Sequence, residues 1–213
     1  AAVIAVIATL GADDRAGAAA EASAAVARVF TTLKVKVGVG DDAGRLAAVR
    51  AAAPGVRIRV DANGAWATPQ EALAHLRALE PAGLELAEEP VHGVAALRAV
   101  RDGTTVPIAM DETAVPGAGV TDAVCLKISR SGGISQLLRD AAAAQRAGSR
   151  VYLASTYDGP LGIAAALHAA GALAADTPLP ACGLATLEAF DGVDNPFALV
   201  DGAFAVPSGP GLL

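Results

Sequence analysis

Leu33-Lys34-Val35-Lys36-Val37-Gly38 is the stretch on which the reading of the fold turns. Apolar residues occupy every second position and two lysines fill the gaps, the period of a β-strand with one apolar and one charged face. Gly38 ends the run. Residues 56–61, Val56-Arg57-Ile58-Arg59-Val60-Asp61, repeat the design. In both runs the apolar face is fit to be covered by helices. Lys34, Lys36, Arg57, Arg59 and Asp61 must then point inward, or towards the mouth, of whatever the strands build.

Working outward, short β-branched runs alternate with alanine-rich stretches of helical propensity. Strands are predicted at residues 3–9, 33–37, 56–61, 84–88, 106–110, 123–128 and 151–155, with a weak eighth at 181–184. Helices are predicted at 18–30, 45–53, 69–79, 94–101, 135–147 and 161–174. Thr68-Pro69 supplies an N-cap and a first-turn proline for the third helix. Eight strands separated by helices predict an α/β protein with a parallel sheet, and the number favours a (β/α)8-type barrel over an open doubly wound sheet. The domain reading is a catalytic barrel over 1–184. A Gly- and Pro-rich tail over 185–213 is expected to pack on the barrel or on a capping segment.

The chain of 213 residues is 54% hydrophobic and 18% charged, which supplies a core and excludes a disordered chain. A net charge of -6 argues against a nucleic-acid partner. The longest apolar opening, residues 1–10, is about half the ~20 residues a membrane-spanning helix needs. Two cysteines, Cys125 and Cys182, are too few for a disulfide scaffold, so a reducing, cytoplasmic setting is expected.

Chemistry in a parallel barrel gathers at the C-terminal strand ends. Five successive strand ends here carry an ionisable group: Lys36, Asp61, Glu88, Asp111 and Lys127. Strand parity puts Glu88 inside with Leu84 and Leu86; Glu89 and Glu112 are the competing carboxylates. Three carboxylates on neighbouring strands, ~4.8 Å apart in a sheet, repel one another in a partly dry site. A divalent cation relieves that, and an all-oxygen set suits Mg2+, with Mn2+ as a substitute. A lysine beside a cation and a second ammonium is expected to lose its proton more easily and serve as a base. The competing reading is a ring of salt bridges at the barrel mouth, which each carboxylate alone would fit.

The motifs Leu33-Lys34-Val35-Lys36-Val37-Gly38, Arg59-Val60-Asp61-Ala62-Asn63, Glu88-Glu89-Pro90, Met110-Asp111-Glu112-Thr113 and Leu126-Lys127, in that order, resemble the enolase superfamily. Within it they are most similar to the o-succinylbenzoate synthases of the muconate-lactonising subgroup. Ser131-Gly132-Gly133-Ile134 adds to the resemblance, which runs from about residue 3 to 184. It implies proton abstraction α to a carboxylate, with Mg2+ stabilising the enediolate. Loss of water then completes a lyase reaction of menaquinone synthesis. It implies Lys36 as the base, Lys127 as the opposing cation, and Asp61, Glu88 and Asp111 as metal ligands. Lys34, Arg59 and Asn63 would orient either the substrate, a small carboxylate, or Lys36 itself. The resemblance also implies an N-terminal α+β capping domain. The first residues here already read as strand one, so a barrel without its cap is expected, and an inactive truncated barrel is one alternative. N-acylamino acid racemisation, which uses the same two lysines, is another, with a dipeptide epimerase behind it. A Schiff-base aldolase with Lys127 as nucleophile is disfavoured by the three carboxylates.

Weaker signals remain. Ser155 opens Ser155-Thr156-Tyr157-Asp158-Gly159, which either binds a substrate carboxylate or caps the helix that follows. Gly38-Val39-Gly40 is an incomplete phosphate-loop pattern. His75 and His168 read as surface or packing residues, His92 as a residue near the mouth, and Trp66 as packing at the mouth or on a cap.

Overall fold

The computed structural model describes residues 2–175 and 177–213. The strands are β1 (Val3–Ala5), β2 (Ala8–Leu10), β3 (Thr32–Lys36), β4 (Arg57–Asp61), β5 (Leu84–Glu88), β6 (Ile108–Met110), β7 (Ala123–Lys127), β8 (Arg150–Ala154), β9 (Leu199–Val200) and β10 (Ala203–Ala205). The helices are α1 (Arg15–Ala27), α2 (Asp42–Ala52), α3 (Pro69–Leu79), α4 (Val94–Asp102), α5 (Ile128–Ser131), α6 (Ile134–Arg146) and α7 (Pro160–Ala174). Two short 3-10 turns cover Glu80–Ala82 and Leu187–Ala189.

Strands β2 to β8 form one parallel sheet in sequence order. Each crossover carries the chain back along the outside, as parallel pairing demands. The apolar side chains of β3 and β4, including Leu33, Val35, Ile58 and Val60, are buried with Leu46 and Val49 of α2 in one continuous core. Helix starts follow local chemistry. Asp14 caps α1 by accepting from Gly17 N, Asp41 caps α2 by accepting from Gly44 N, and Thr68 caps α3 ahead of Pro69. The first two caps explain why α1 and α2 start three residues before the predicted positions. Buried Ala18, Ala22 and Ala25 give α1 a flat inner face, which packs on α2.

Two expectations need correction, and the tail adds elements that were not predicted. The strand predicted at 3–9 is two strands in different sheets: β2 joins the parallel sheet, while β1 pairs antiparallel with β10. The Gly- and Pro-rich tail holds two strands for which no element was predicted: β9 and β10 form a hairpin that completes a three-stranded sheet in the order β1-β10-β9. And among the described residues the parallel sheet has seven strands rather than eight. The segment expected as the eighth makes only single bridges, Val6 to Cys182 and Ala154 to Gly183. Pro180 has no N–H to offer a ladder there. Gly183 lies so close to β8 that a Cβ on it would stand 3.1 Å from Ala154 Cβ. The segment nevertheless reaches both edges: Ile7 N donates to Cys182 O at 3.0 Å, and Ser155 N donates to Gly183 O at 3.0 Å.

Among the described residues no helix is long and apolar enough to cross a membrane. Cys125 and Cys182 are both free and buried.

Candidate active site

Register sets the site. Lys36 is paired with Asp61 across β3 and β4, and Asp61 with Glu88 across β4 and β5, so the last residues of three adjacent strands stand level. Asp111 directly follows β6 and Lys127 ends β7. The five predicted groups therefore line up along consecutive strand ends. Lys34, Lys36, Asp61, Asn63, Asp111, Lys127, Arg130 and Ser155 line one cavity of about 290 Å3. A larger hollow of about 680 Å3 lies where β4 and β8 begin, beside Arg57 and Arg150, and holds none of the convergent carboxylates.

The charges are tightly paired. Lys34 Nζ bridges Asp61 Oδ2 at 2.7 Å and Glu88 Oε1 at 2.8 Å. Lys36 Nζ reaches the same Asp61 oxygen at 2.5 Å and Asn63 Oδ1 at 2.5 Å. Lys127 Nζ meets Asp111 Oδ2 at 2.5 Å, and Arg130 Nη1 meets Asp111 Oδ1 at 3.0 Å. Glu88 is fully buried and accepts at Oε2 from Tyr152 Oη at 2.7 Å.

These surroundings push the carboxyls apart. Burial works to raise Asp61, but the ammoniums of Lys34 and Lys36 outweigh it and hold its pKa below the usual value. Asp111 goes the other way: burial first, then the Glu88 carboxylate, push it up to about 7, with Lys127 offsetting only part. Burial opposes the charge on Lys34, yet Glu88 and Asp61 more than compensate and raise its pKa well above the ordinary lysine range. Burial and the nearby Glu88 raise Tyr152 well above its usual value, so it remains a phenol that donates. Burial and the same carboxylates keep Cys125 a neutral thiol.

Oxygens of Glu88 and Asp111 and the sulfur of Cys125 lie within 4.8 Å of one another. Asp61 joins them through the shared Lys34 ammonium rather than directly. Two buried carboxylates this close, one raised towards neutral pH, are a site that gains from a divalent cation. The neutral thiol leaves oxygen as the donor set, which fits a hard ion.

Arg59 does not line the cavity. It is fully buried, paired with Glu85 Oε2 at 2.6 Å and Ala181 O at 2.9 Å, with its guanidinium 4.8 Å from the Tyr152 ring centre. Glu85 arrives there because the register slips between Ile58 and Arg59: Leu84 partners Ile58 and Leu86 partners Arg59. The expectation that Leu84 faces inward therefore fails, since it shares the side of Ile58. Ser155 lines the cavity and accepts from Asp158 N at 2.8 Å, while α7 is capped by Gly159 with no side-chain bond. Trp66 is buried and stacks on His75 at 5.0 Å.

A profile of the enolase C-terminal domain-like family matches residues 17–212. The chain belongs to this family. It is 42% identical over 190 residues to an o-succinylbenzoate synthase of Mycobacterium tuberculosis, an alignment covering 82% of this chain and 56% of that protein. The chain thus spans about half the length of the curated relatives it matches. Among solved structures it resembles the L-Ala-D/L-Glu epimerase of Bacillus subtilis (TM-score 0.88, 28% identity, 99% of this chain and 62% of that one). It also resembles a dipeptide epimerase of Cytophaga hutchinsonii complexed with Mg and a dipeptide (TM-score 0.87, 28% identity, 99% and 61%).

Sequence reasoning on this enolase-family chain missed three contributors to the site. Tyr152 sits opposite Cys125 in the β7–β8 register, on the same inward face, so the parity of β8 held the signal. Arg130 lies three residues past Lys127, and a helical turn after the strand brings it back to Asp111. Glu85 had no signal, because a register slip leaves the alternation of its own strand unchanged.

Proposed function

We propose that the chain carries the catalytic centre of a Mg2+-dependent carbon–oxygen lyase of the o-succinylbenzoate synthase type, acting on a small carboxylate substrate. The supporting observation is a single one. Lys36 and Lys127 stand on the wall of one cavity, and Asp61, Glu88 and Asp111 occupy the strand ends between them. The 42% identity to the mycobacterial synthase favours this reaction over others the same arrangement would serve.

Asp61, Glu88 and Asp111 would hold the ion, which when bound supplies Lewis-acid stabilisation of the charge that develops on the substrate carboxylate. Lys36, in its neutral form, takes the α-proton onto Nζ. The resulting ammonium passes that proton to the departing hydroxyl as the C–O bond breaks, so one water leaves and Lys36 is regenerated. Lys127 presents positive charge from the far side, where it strengthens as negative charge builds in the transition state. Lys34, pinned by two carboxylates, is fixed as a cation; Asn63 and Ser155 orient the substrate. Arg59 contributes from beneath, by supporting the Tyr152 ring whose hydroxyl holds Glu88. In this reading residues 181–183 act as the eighth strand of a (β/α)8 barrel over 1–184, with 185–213 packed outside it.

A second reading is racemisation or epimerisation of an N-acylated amino acid or dipeptide. It is favoured by the two lysines on opposite flanks, which would take a proton from one face and return it to the other. The test is turnover by the full-length protein, with and without Mg2+, of the cyclohexadiene dicarboxylate precursor of o-succinylbenzoate, run beside N-succinylamino acid racemisation. Racemisation with no dehydration would replace the first reading by the second. Activity of either kind that ignores removal of the metal would sink both.

A further inference from the structure

Glu89 is a fully buried carboxylate for which the proposed reaction has no use. Its Oε2 accepts from Asp111 N at 2.7 Å and its Oε1 from Thr113 N at 3.0 Å. Oε1 also accepts from the Thr113 hydroxyl and lies 3.0 Å from His92 Nδ1. On the main chain, Glu89 N donates to Ala109 O at 2.8 Å, and Gly64 N donates to Glu89 O at 2.7 Å. One residue thus ties together the loops that follow β4, β5 and β6. Those are the loops behind Asp61, Glu88 and Asp111.

The backbone supports the same reading. Glu89 has φ +40°, in the left-handed region that side chains other than glycine rarely adopt. Strain of this kind persists only where the surroundings enforce it, and it clusters at functional sites. Here it separates two adjacent glutamates. Glu88 enters the site to meet Lys34 and Tyr152, while Glu89 turns behind it and meets the main chain of 111–113. The network continues outward, since Thr113 Oγ1 accepts from Gly93 N at 2.9 Å, the residue that caps α4.

We propose that Glu89 is a positioning residue, whose carboxylate fixes the main chain of residues 111–113 so that the Asp111 side chain is presented towards Glu88 for metal binding. This rests on the metal-dependent reading above. A carboxylate can satisfy every donor aimed at it, because it only accepts. The amide of Gln at this position has the same shape but turns an NH2 group towards one of those donors. Groups that orient metal ligands typically change metal affinity 10–100-fold when removed.

The test is calorimetric titration of Mg2+ into the substrate-free full-length protein, wild type against Glu89→Gln. The expected result is a Kd for Mg2+ raised by about 10–100-fold, with kcat recovering towards wild type once Mg2+ is saturating. A purely structural role would not be rescued by the ion. An unchanged Kd overturns the proposal. Should Glu89→Gln fail to fold, Thr113→Val, which removes the hydroxyl that donates to Glu89 and accepts from Gly93 N but keeps the Thr113 main-chain donor, is titrated instead; a weaker Kd is again expected and an unchanged one is again fatal. Failure of the wild type to bind Mg2+ would overturn the functional reading and this inference together. Equal binding by wild type and variant overturns this inference alone.

Discussion

Lys34 and Lys36 come from one strand and one face, but their exposure separates their roles. The Lys34 side chain is 13% exposed and shared between two carboxylates, whereas that of Lys36 is 42% exposed and opens onto the cavity. A base must release and regain its proton at the substrate, and only Lys36 has the access. Lys36→Ala is therefore expected to cut dehydration by at least about 100-fold while leaving the Mg2+-induced thermal shift in place; a variant with near-normal turnover would move the base elsewhere. Asp111 gives a pH prediction. Its ordinary value is 3.8, raised to about 7 in the metal-free fold. Below about pH 4 it is protonated folded or unfolded. Between about 4 and 7 only the folded chain keeps the proton, so its contribution to stability falls as pH rises and the full penalty applies above about 7. Mg2+ needs the ionised carboxylate, so millimolar Mg2+ should raise Tm more at pH 8 than at pH 5.5. A shift of equal size at both values would remove Asp111 from the ligand set. The alternating lysines and the Asp61, Glu88 and Asp111 series were legible residue by residue, because strand parity is a local property. The partners of Arg59 were not: parity turned it inward but could not say how deep along the strand it would sit.

At the scale of elements, the longer helices and the strands of the parallel sheet announced themselves; the four-residue α5 and the two strands of the tail did not. The helices carried caps and alanine faces, and β3 and β4 carried clean alternation. β9 and β10 are two and three residues long, too short for any period to show. One local signal was present in that tail, however. Asp201 and Gly202 have φ of +50° and +68°, the two left-handed residues of a type I′ hairpin turn, and Asp-Gly is a preferred pair for it. A reading of the tail by its glycine and proline content passes over it. Gly202 is doubly constrained, since a Cβ there would also stand 2.3 Å from Val29 O, a backbone atom with little room to yield. Gly202→Ala should cost about 1–2 kcal/mol or more for the backbone alone, and lower Tm by several degrees in a chain of this size. A melting curve that superposes on wild type would mean that the hairpin is not part of the cooperative unit.

For the whole molecule, strand order was legible, because each strand of the parallel sheet follows its neighbour in the chain; the count was not, since among the described residues that sheet has seven strands where eight were expected. The pairing of β1 was not. Nothing near Val3 in the sequence hints that its partner is Ala205. β1 and β2 are joined by Val6 and Ile7, and Val6 N donates to Gly202 O at 2.9 Å. β1 is thus held by residues about 200 positions further on, and this has a consequence for biosynthesis. At roughly 5–20 residues per second, β1 leaves the ribosome tens of seconds before the strand that will pair with it. Until then Ile4 lacks its ladder partner Phe204, and β1 presents an unpaired strand edge, the kind of surface holding chaperones recognise. Ribosome-stalled chains ending before residue 199 should accordingly be cleaved readily by protease around residues 3–7, and chains extended past residue 205 and clear of the exit tunnel should resist. Equal resistance in the shorter chains would show that β1 is held by α7, which it also touches, and not by its late partner.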